Sequence, residues 1–411
     1  MAPAAGDEHA VLIRSDGEAV AFGCNKQGQC QVPPLPAAGL RYLDAACGGR
    51  HTVLLRSDGE AVAFGCDEHG QCQVPPLPSP GLRYVAAAAG NWHTVLIRSD
   101  GVALAFGRDA EGQCRVPPLP SRTLHYLAGA CGWFHSVLLR SDGEAVAFGE
   151  GEDGQCWVPR LPSPGVRYVA AAAGMQHTAL VRNDGVAVAF GRDCGDGRIR
   201  VPRLDEPGLR YTGVAAGRYH TVLVRSDGVA VAFGRGVTDG RCQVPKLSSK
   251  DLRYVAAAAS WKHTYLLRSD GTVVAFGETD PLAQGLGGDD KSNLCWVPPL
   301  PSGLRYVAGM EEPPVEEATP AKAAPTGLFF LGEDRGGKVS LWQAVEGGAW
   351  EKSQDSTPKL PPRPTGPFVL EDCLDSEHHM EAISARACRL STVRSPAPVV
   401  ARRHVQLRSR G

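Results

Sequence analysis

Seven histidines recur 42 or 43 residues apart along the first three-quarters of the chain, and an aspartate follows each of them seven residues later. A cysteine also recurs, at one position in six of the seven repeats. Imidazole, carboxylate and thiolate groups are ligands of zinc, and the same groups serve as general bases and nucleophiles. The histidines are His9, His51, His93, His135, His177, His220 and His263, and the cysteines are Cys30, Cys72, Cys114, Cys156, Cys242 and Cys295.

The regular recurrence of these residues argues against a metal or catalytic site. Ligands must converge on one ion, whereas equivalent positions of successive repeats are separated in space. The pairs Cys24/Cys30 and Cys66/Cys72 are six residues apart, which is not a standard zinc spacing. We therefore expect the histidines to be structural, for example through a side-chain bond to a turn, and the cysteines to be small buried residues. No catalytic constellation, metal or cofactor is expected.

Each histidine begins a unit whose elements can be predicted from residue type. In the second unit, residues 51–57 (HTVLLRS) are rich in β-formers, Asp58-Gly59 is a strong hairpin signal, and residues 60–65 (EAVAFG) form the returning strand. The phenylalanine of the returning strand recurs in every unit and is expected to fill the space between stacked units. These residues are Phe22, Phe64, Phe106, Phe148, Phe190, Phe233 and Phe276.

Two further segments complete the unit. Residues 71–77 (QCQVPPL) are predicted to form a short edge strand, because proline has no N–H to donate to a sheet. Residues 81–89 (GLRYVAAAA) are predicted to form the innermost strand of the next unit, because the segment is too short for the alternative, an alanine helix. The PPLP within the edge segment matches a polyproline ligand, but its recurrence favours a rigid connection between units.

Four strands in about 42 residues correspond to one blade of a β-propeller. The chain shows seven hairpins and seven inner strands, but it opens on a hairpin and the pattern ends on an inner strand. We therefore expect an all-β fold, a seven-bladed β-propeller of four-stranded blades, over residues 1–309. The C-terminal strand, residues 303–309 (GLRYVAG), is expected to pair with the His9 hairpin of the N-terminal blade and to close the ring.

The repeat pattern stops after residue 309. Residues 310–326 are rich in proline, glutamate and alanine and are expected to be a linker, and residues 327–350 are expected to hold a short β-like segment. Residues 351–411 are expected to be a mostly disordered tail, with a candidate helix at residues 371–390.

Charge and cysteine usage limit the class of protein. The formal net charge is −1 and the sequence pI is about 6.9, which gives no electrostatic case for binding to nucleic acid or to a membrane. The N-terminus shows no signal peptide, and no apolar run has the length of a membrane span. The 13 cysteines are therefore expected to be reduced, which favours a cytoplasmic or nuclear protein.

The units read Gly-x-x-His-(Thr/Ser), Ser-Asp-Gly, Ala-Phe-Gly and Gly-Gln-Cys, as at residues 48–52, 57–59, 63–65 and 70–72. In this they resemble the regulator of chromosome condensation repeat family over residues 9–309, and in particular the propeller domains of HECT-type ubiquitin ligases. Phenylalanine stands where that family has tryptophan before glycine, and the family's Gly-Gln-Leu-Gly is replaced by Gly-Gln-Cys-x-Val-Pro. The resemblance implies the propeller fold.

The resemblance implies several functions, because members of that family are guanine-nucleotide exchange factors, domains of HECT-type ligases or, in one plant protein, an ultraviolet-B receptor. An exchange factor needs a protruding wedge, for which residues 278–293 are the one candidate, and a ligase needs a catalytic domain that this sequence lacks. A receptor of that kind needs a tryptophan cluster, and Trp133 and Trp261 are three repeats apart. We expect a scaffold for protein–protein interaction, with a small GTPase or a ubiquitin-pathway component as alternative partners.

Residues that differ between otherwise similar repeats are the best candidates for binding a partner. The two residues before each histidine lie in the loop from inner strand to hairpin, so these loops should open on one face. Aromatic residues and arginine, which dominate binding hot spots, are frequent there. The candidate partner-binding residues are Arg50, Asn91, Trp92, Trp133, Phe134, Met175, Gln176, Arg218, Tyr219, Trp261 and Lys262. The loop after each Phe-Gly leans acidic, as at residues 67–69 and 150–153.

Overall fold

The computed structural model describes residues 3–236, 239–278 and 295–308, together with the backbone of three strands between residues 329 and 352. All regular structure in these residues is β-strand, and none of them forms a helix long and apolar enough to cross a membrane. Residues 1–315 form one compact unit and residues 316–411 a second. The first unit contains seven blades, which we number 1 to 7 in the order of their histidines.

Each of blades 2 to 7 is an antiparallel sheet of three strands in sequence order, and the inner strands of neighbouring blades contact one another around an axis. The inner strands are Tyr42–Cys47, Tyr84–Ala89, Tyr126–Cys131, Tyr168–Ala173, Tyr211–Ala216 and Tyr254–Ala259. The middle strands are His9–Arg14, His51–Arg56, His93–Arg98, His135–Arg140, His177–Arg182, His220–Arg225 and His263–Arg268. The outer strands are Ala19–Gly23, Ala61–Gly65, Ala103–Gly107, Ala145–Gly149, Ala187–Gly191, Ala230–Gly234 and Val273–Gly277. The alanine runs are thus strands, as predicted.

The described blades have three strands rather than the predicted four. The proline-rich segment, residues 71–77 in the second repeat, has no ladder pairing, because its consecutive prolines lack the N–H groups that a strand must donate. The segment instead connects blades: its Val74 and Leu77 pack against the apolar core, and the Tyr84 hydroxyl donates to the Pro75 carbonyl oxygen at 2.6 Å.

The hairpin turns between middle and outer strands have the predicted Asp-Gly geometry. Gly59 has a φ of +88°, and the Asp58 carboxylate accepts from the Glu60 N–H at 3.2 Å. The same carboxylate pairs with Arg56. This arrangement, repeated in all seven turns, keeps each hairpin tight at the end of the ring opposite the histidines.

Seven separate apolar clusters hold the ring together, and each lies between two neighbouring blades. In the cluster between blades 2 and 3, Val53 and Leu55 from one middle strand pack against Tyr84, Leu96 and Phe106 of the next blade. Each repeated phenylalanine packs into one of these clusters, as predicted. Since a cluster also joins blade 7 to blade 1, the ring is closed.

Closure occurs within the inner strand of blade 1, which is assembled from both ends of the propeller sequence. Tyr306–Val307 pairs with Arg14 and Ile13, as predicted, but Ala4–Ala5 continues the same edge opposite Val11 and Ala10. The C-terminal segment therefore supplies only the first half of the strand. The expectation that the chain opens directly on the His9 hairpin is therefore wrong. It arose because Ala4 and Ala5 lack the Arg-Tyr signature of the other inner strands.

In the second unit the described backbone forms one antiparallel sheet of three strands, Phe329–Glu333, Val339–Ala344 and Trp350–Lys352. The first two strands lie within the β-like segment predicted at residues 327–350, and the third begins at its last residue. The linker at residues 310–326 and the candidate helix at residues 371–390 lie outside the described residues. So does the tail predicted at residues 351–411, except for residues 351 and 352, which belong to the third strand.

Candidate functional site

The repeated histidines form hydrogen bonds between blades rather than to turns. His51 Nε2 lies 2.9 Å from the hydroxyl of Thr94 in the next blade, and that hydroxyl donates to the Gln71 carbonyl oxygen at 2.7 Å. Since the hydroxyl proton is used in this way, Nε2 carries the imidazole proton and donates. The arrangement recurs at six seams, from His9 to Thr52 through His220 to Thr264.

The glycine of each Gly-x-x-His motif makes room for the imidazole. A Cβ on Gly48 would lie 2.3 Å from His51 Cε1 and 2.4 Å from the Gly90 carbonyl oxygen. The seam between blades 7 and 1 departs from this pattern, since Ser260 replaces the glycine and Ala10 replaces the hydroxyl residue. There, His263 Nε2 lies 2.7 Å from the Glu278 carbonyl oxygen instead.

These histidines are poorly suited to act as bases. Burial lowers the pKa of His51 to about 4 and that of His93 to about 3, so both rings stay neutral at physiological pH. Each faces a hydroxyl and is closed off from solvent. Among the described residues, no three His, Cys, Asp or Glu side chains form a group that could hold a metal ion.

The repeated cysteines serve the loop after each outer strand. The Cys72 thiol donates to the Cys66 carbonyl oxygen, with the sulfur 3.3 Å from the oxygen, and equivalent bonds occur at Cys30, Cys114 and Cys156. Burial raises the pKa of Cys72 to about 12, so the thiol is not a reactive thiolate.

Both sets of variable loops open at one end of the ring, which we call the histidine end. The middle strand begins there at His51, and Gly65, the last residue of the outer strand, pairs with His51. The loop before the histidine and the loop after Phe-Gly are therefore neighbours. Contacts between them include His69 against Trp92, with ring centroids 5.5 Å apart, and Gln176 Nε2 donating to Asp153 at 2.7 Å.

The first variable residue of each Gly-x-x-His loop lines a small cavity of about 60 Å³ on the axis. We call these seven residues the axial ring; they are Asp7, Gly49, Asn91, Trp133, Met175, Arg218 and Trp261. The second variable residues do not line this cavity; they are Glu8, Arg50, Trp92, Phe134, Gln176, Tyr219 and Lys262. The predicted set of eleven residues thus divides into an axial ring and a surrounding ring.

Arg218 is the centre of the axial ring. Its Cζ lies 3.9 Å from the centroid of Trp133 and 4.4 Å from that of Trp261, although these tryptophans belong to blades 4 and 7. Its Nε donates to the Met175 sulfur at 3.3 Å. Separation by three repeats therefore does not keep the two tryptophans apart, because residues near the axis converge.

Asp7 joins this cluster and was missed by the sequence analysis. Its carboxylate accepts a hydrogen bond from Trp133, and the amide of Asn91, with its oxygen and nitrogen exchanged, donates to it at 3.1 Å. Burial raises the pKa of Asp7 to about 6, against the opposing effect of the Arg218 charge. The spacing Gly6-Asp7-Glu8-His9 was the available signal, since it matches the loops of the other repeats.

The surrounding ring is built from stacked cations and aromatic rings. Arg50 lies over Trp92, with Cζ 5.6 Å from the ring centroid, and Lys262 pairs with Glu278 at 3.0 Å. Tyr219 is surrounded by three guanidinium groups, with Cζ–centroid distances of 4.9 Å for Arg198, 5.0 Å for Arg218 and 5.5 Å for Arg235. Such cation–π contacts stiffen side chains that face solvent.

Charge at the histidine end is divided by blade. In blades 2 to 4 the two loops carry seven carboxylates against two arginines, with Glu150, Glu152 and Asp153 together in blade 4. In blade 6, Arg218 and Arg235 accompany the buried Arg241, which pairs with Asp239. In blade 5 a second buried arginine, Arg198, stands in place of the glutamine of the Gly-Gln-Cys motif and pairs with Asp196. The sequence analysis did not single out Arg198 or Arg241.

Comparison with known proteins supports the repeat identity. A sequence model described as the regulator of chromosome condensation (RCC1) repeat matches residues 4–29, 44–71 and 128–155. A search of curated protein sequences gave no match. The matched ranges fall on the loops and hairpins of blades 1, 2 and 4.

Solved structures share the fold. Prp20p of Saccharomyces cerevisiae aligns with a TM-score of 0.54 and 18% identity, over 68% of this chain and 83% of that chain. The ectodomain of the receptor kinase CR4 of Physcomitrella patens aligns with a TM-score of 0.53 and 17% identity, over 68% and 74%. The ectodomain of the Arabidopsis thaliana receptor kinase ACR4 aligns with a TM-score of 0.51 and 17% identity, over 67% and 94%.

At these identities the structural matches establish the fold alone, while the repeat itself is recognised in the sequence. Seven inter-blade clusters, six histidine–hydroxyl links and a shared closing strand give the ring its seven-fold form. The first unit of the chain is therefore a closed seven-bladed β-propeller, and three of its segments match the regulator of chromosome condensation (RCC1) repeat model.

Proposed function

We propose that this protein binds a protein partner through the histidine end of its propeller and acts as an interaction scaffold. The observation that carries this proposal is the convergence of Trp133, Trp261 and Arg218 on the axis, within a wider ring that includes Trp92 and Tyr219. Tryptophan, tyrosine and arginine are the residues that contribute most to binding free energy at protein interfaces. Their mutual stacking holds them in place before a partner arrives, which lowers the entropy lost on binding.

A binding role also agrees with the chemistry of the repeated side chains. The histidines that recur in every blade are buried and their pKa values are lowered, so they are not general bases at neutral pH. The described cysteines are free thiols, and repeated ones such as Cys72 donate to a backbone carbonyl oxygen. Free thiols support the proposal that the protein works in the cytoplasm or the nucleus.

The test is affinity capture with the full chain as bait, comparing wild type with Trp92→Ala, Trp133→Ala and Trp261→Ala. Trp157→Ala is the matched control, because Trp157 is 75% exposed but lies outside the variable loops of the histidine end. We expect a partner that is retained by the control and by wild type and is lost from at least the Trp133 and Trp261 variants. Retention of every specific partner by all three variants would exclude this face.

Nucleotide exchange on a small GTPase is the second candidate function. The fold similarity to Prp20p, a protein described as binding Gsp1p and histones, favours it. Its test is the release of labelled GDP from purified small GTPases in the presence of the full chain. Release that is stimulated by wild type and abolished by Trp133→Ala or Trp261→Ala would favour exchange over scaffolding. Substrate recognition in a HECT-type ubiquitin ligase system stays a prediction, for which capture of ubiquitin-pathway components at this face is the test.

A further inference from the structure

The Arg218 side chain is held by its neighbours in a way that leaves donor groups for one more ligand. The indole rings of Trp133 and Trp261 lie 3.9 and 4.4 Å from Cζ, and Nε is bound to the Met175 sulfur. The two terminal Nη groups are not used in these contacts. No described carboxylate forms a salt bridge with Arg218, so its charge is compensated by aromatic rings and by the nearby carboxyl of Asp7.

Asp7 competes only weakly with another anion for the positive charge of Arg218. Its carboxyl group is occupied by hydrogen bonds from Trp133 and Asn91, and burial raises its pKa to about 6. A fraction of Asp7 is therefore neutral near physiological pH. The axial ring thus combines a preorganised guanidinium with an acid that can give up its negative charge.

We propose that the axial ring binds the carboxylate of an aspartate or glutamate side chain presented by the protein partner, with the Nη groups of Arg218 as donors. The proposal rests on the proposed function, since it names the chemistry recognised by the same face. Arginine binds a carboxylate through two parallel N–H···O bonds, and such charge-assisted bonds are about twice as strong as neutral ones. Because the guanidinium is already held between two rings, little side-chain entropy remains to be lost on binding.

Charge complementarity favours an acidic group on a protein over a nucleic acid. The loops of blades 2 to 4 carry seven carboxylates against two arginines and would repel an extended polyanion. A protein surface can instead present one acidic side chain to Arg218 and basic side chains to Glu150, Glu152 and Asp153 of blade 4. The expected partner surface is therefore divided in charge in the same way as this face.

The first test is isothermal titration of the full chain with a blocked hexapeptide that carries one glutamate among glycines and serines (the glutamate peptide). The same peptide with glutamine in place of glutamate (the glutamine peptide) and a single-stranded oligothymidylate are the comparison probes. We expect the glutamate peptide to bind and the glutamine peptide not to bind. Arg218→Gln should weaken binding of the glutamate peptide at least tenfold. Arg115→Gln is the matched control, because Arg115 is an exposed arginine that pairs with Asp109 away from the axis, and it should leave the affinity unchanged.

The second test uses pH and Asp7. The charged groups that act on Asp7 are Arg218, Glu8 and Arg50, and an exposed imidazole, that of His69, packs against Trp92 at the same end of the ring. Affinity for the glutamate peptide should rise from pH 7.5 to pH 5.5, because protonation of Asp7 removes a competing negative charge. Asp7→Asn should give the higher affinity at both pH values, whereas His69→Gln should keep the pH dependence.

Equal affinity of wild type and a folded Arg218→Gln variant for the glutamate peptide, or preferential binding of the oligothymidylate, would overturn the proposal. The same conclusion follows if wild type does not bind the glutamate peptide. Thermal unfolding of each variant identifies loss of fold, and Arg218→Lys, which keeps the charge but not the planar fork, tests the site without removing a cation. If capture of a partner depends on Trp133 and Trp261 but not on Arg218, the scaffold function stands and the carboxylate site does not.

Discussion

His51 Nε2 donates to the Thr94 hydroxyl at 2.9 Å, and this bond joins blade 2 to blade 3 in the buried interior of the ring. The hydroxyl donates its own hydrogen bond to the Gln71 carbonyl oxygen at 2.7 Å, so one threonine satisfies two groups of the preceding blade. The bond recurs at six seams and explains why histidine and threonine or serine recur together in the sequence. The repeated histidine is therefore a joint between blades.

Replacing Thr94 by valine should destabilise the propeller. The substitution keeps the shape but leaves His51 Nε2–H and the Gln71 carbonyl oxygen without this partner, and an unsatisfied buried group costs about 1–3 kcal/mol. We expect the free energy of unfolding in urea to fall by about 2 kcal/mol or more. Thr94→Ser is the control, since serine occupies this position naturally at Ser136, and it should lose much less. Equal losses for both variants would mean that packing, not the hydroxyl, is responsible.

The buried histidines should make the propeller sensitive to acid. Their folded-state pKa values are lowered by burial, to about 3 for His9 and about 4 for His51, while the unfolded value is 6.5. Their contribution is therefore fully present above pH 6.5 and is lost as pH falls toward 4, because the unfolded state binds protons first. Each histidine contributes a slope of about 1.4 kcal/mol per pH unit within this window.

Urea unfolding between pH 7.5 and pH 4.5 measures this slope. We expect His51→Asn to be less stable at pH 7.5 but to have a shallower dependence on pH. His69→Gln, at an exposed imidazole outside the seams, should leave the slope unchanged. A free energy of unfolding that is constant down to pH 4.5 is incompatible with neutral, buried seam histidines.

Asp44 should have the opposite dependence on pH. It is a buried carboxyl in the inner strand of blade 2, where most other inner strands have alanine, and burial raises its pKa to about 7. Between pH 3.8 and 7 the folded state binds the additional proton, so stability falls as pH rises through this window. Asp44→Asn should raise the free energy of unfolding at pH 8 by about 1 kcal/mol or more and change it little at pH 4.

The control for Asp44 is Asp58, whose hydrogen bond with Arg56 holds the pKa of the carboxyl below its usual value. Asp58→Asn should lower stability at pH 8 rather than raise it. If both asparagine variants move the unfolding midpoint in the same direction, burial of Asp44 is not the reason for its effect.

Tyr306 should contribute as much to stability as the tyrosine of any other blade. Its ring is buried between blades 7 and 1, and its hydroxyl donates to the Pro298 carbonyl oxygen at 2.8 Å. Tyr306→Ala should cost about 3–5 kcal/mol, as for other buried aromatic residues, and should match Tyr84→Ala. Tyr306→Phe, which removes only the hydrogen bond, should cost about 1 kcal/mol. A much smaller effect at Tyr306 than at Tyr84 would show that the ring does not depend on this closing strand.

Regular spacing made most of the ring predictable. Asp-Gly turns and β-rich segments define seven hairpins, and the displaced Arg305-Tyr306 strand indicates closure. The fourth strand was misassigned because strand-like residues such as Val74 stand beside prolines, which remove the donors that a ladder requires. The contribution of Ala4–Ala5 was missed because two alanines carry no strand signature of their own.

The contact of Trp133 and Trp261 with one arginine near the axis could not be derived from their separation in the sequence. Trp133 and Trp261 are separated by three repeats, yet both contact Arg218, because the axial ends of all inner strands meet around one narrow opening. Asp7 was overlooked for a related reason, since the first repeat appeared incomplete. In a closed ring, whether two residues contact each other depends less on how many repeats separate them than on how close each lies to the axis.

The divided inner strand of blade 1 has a consequence for chain connectivity. Val307 lies opposite Ile13 and Ala4 opposite Val11, so only the place opposite Leu12 separates the two segments along one edge. A circularly permuted chain in which residue 308 is followed directly by residue 4, and which begins at the Asp184-Gly185 turn, should therefore keep every strand pairing of the ring. The order in which the blades are synthesised would change while the folded contacts would not, so the permuted chain separates the folding pathway of this propeller from its final architecture.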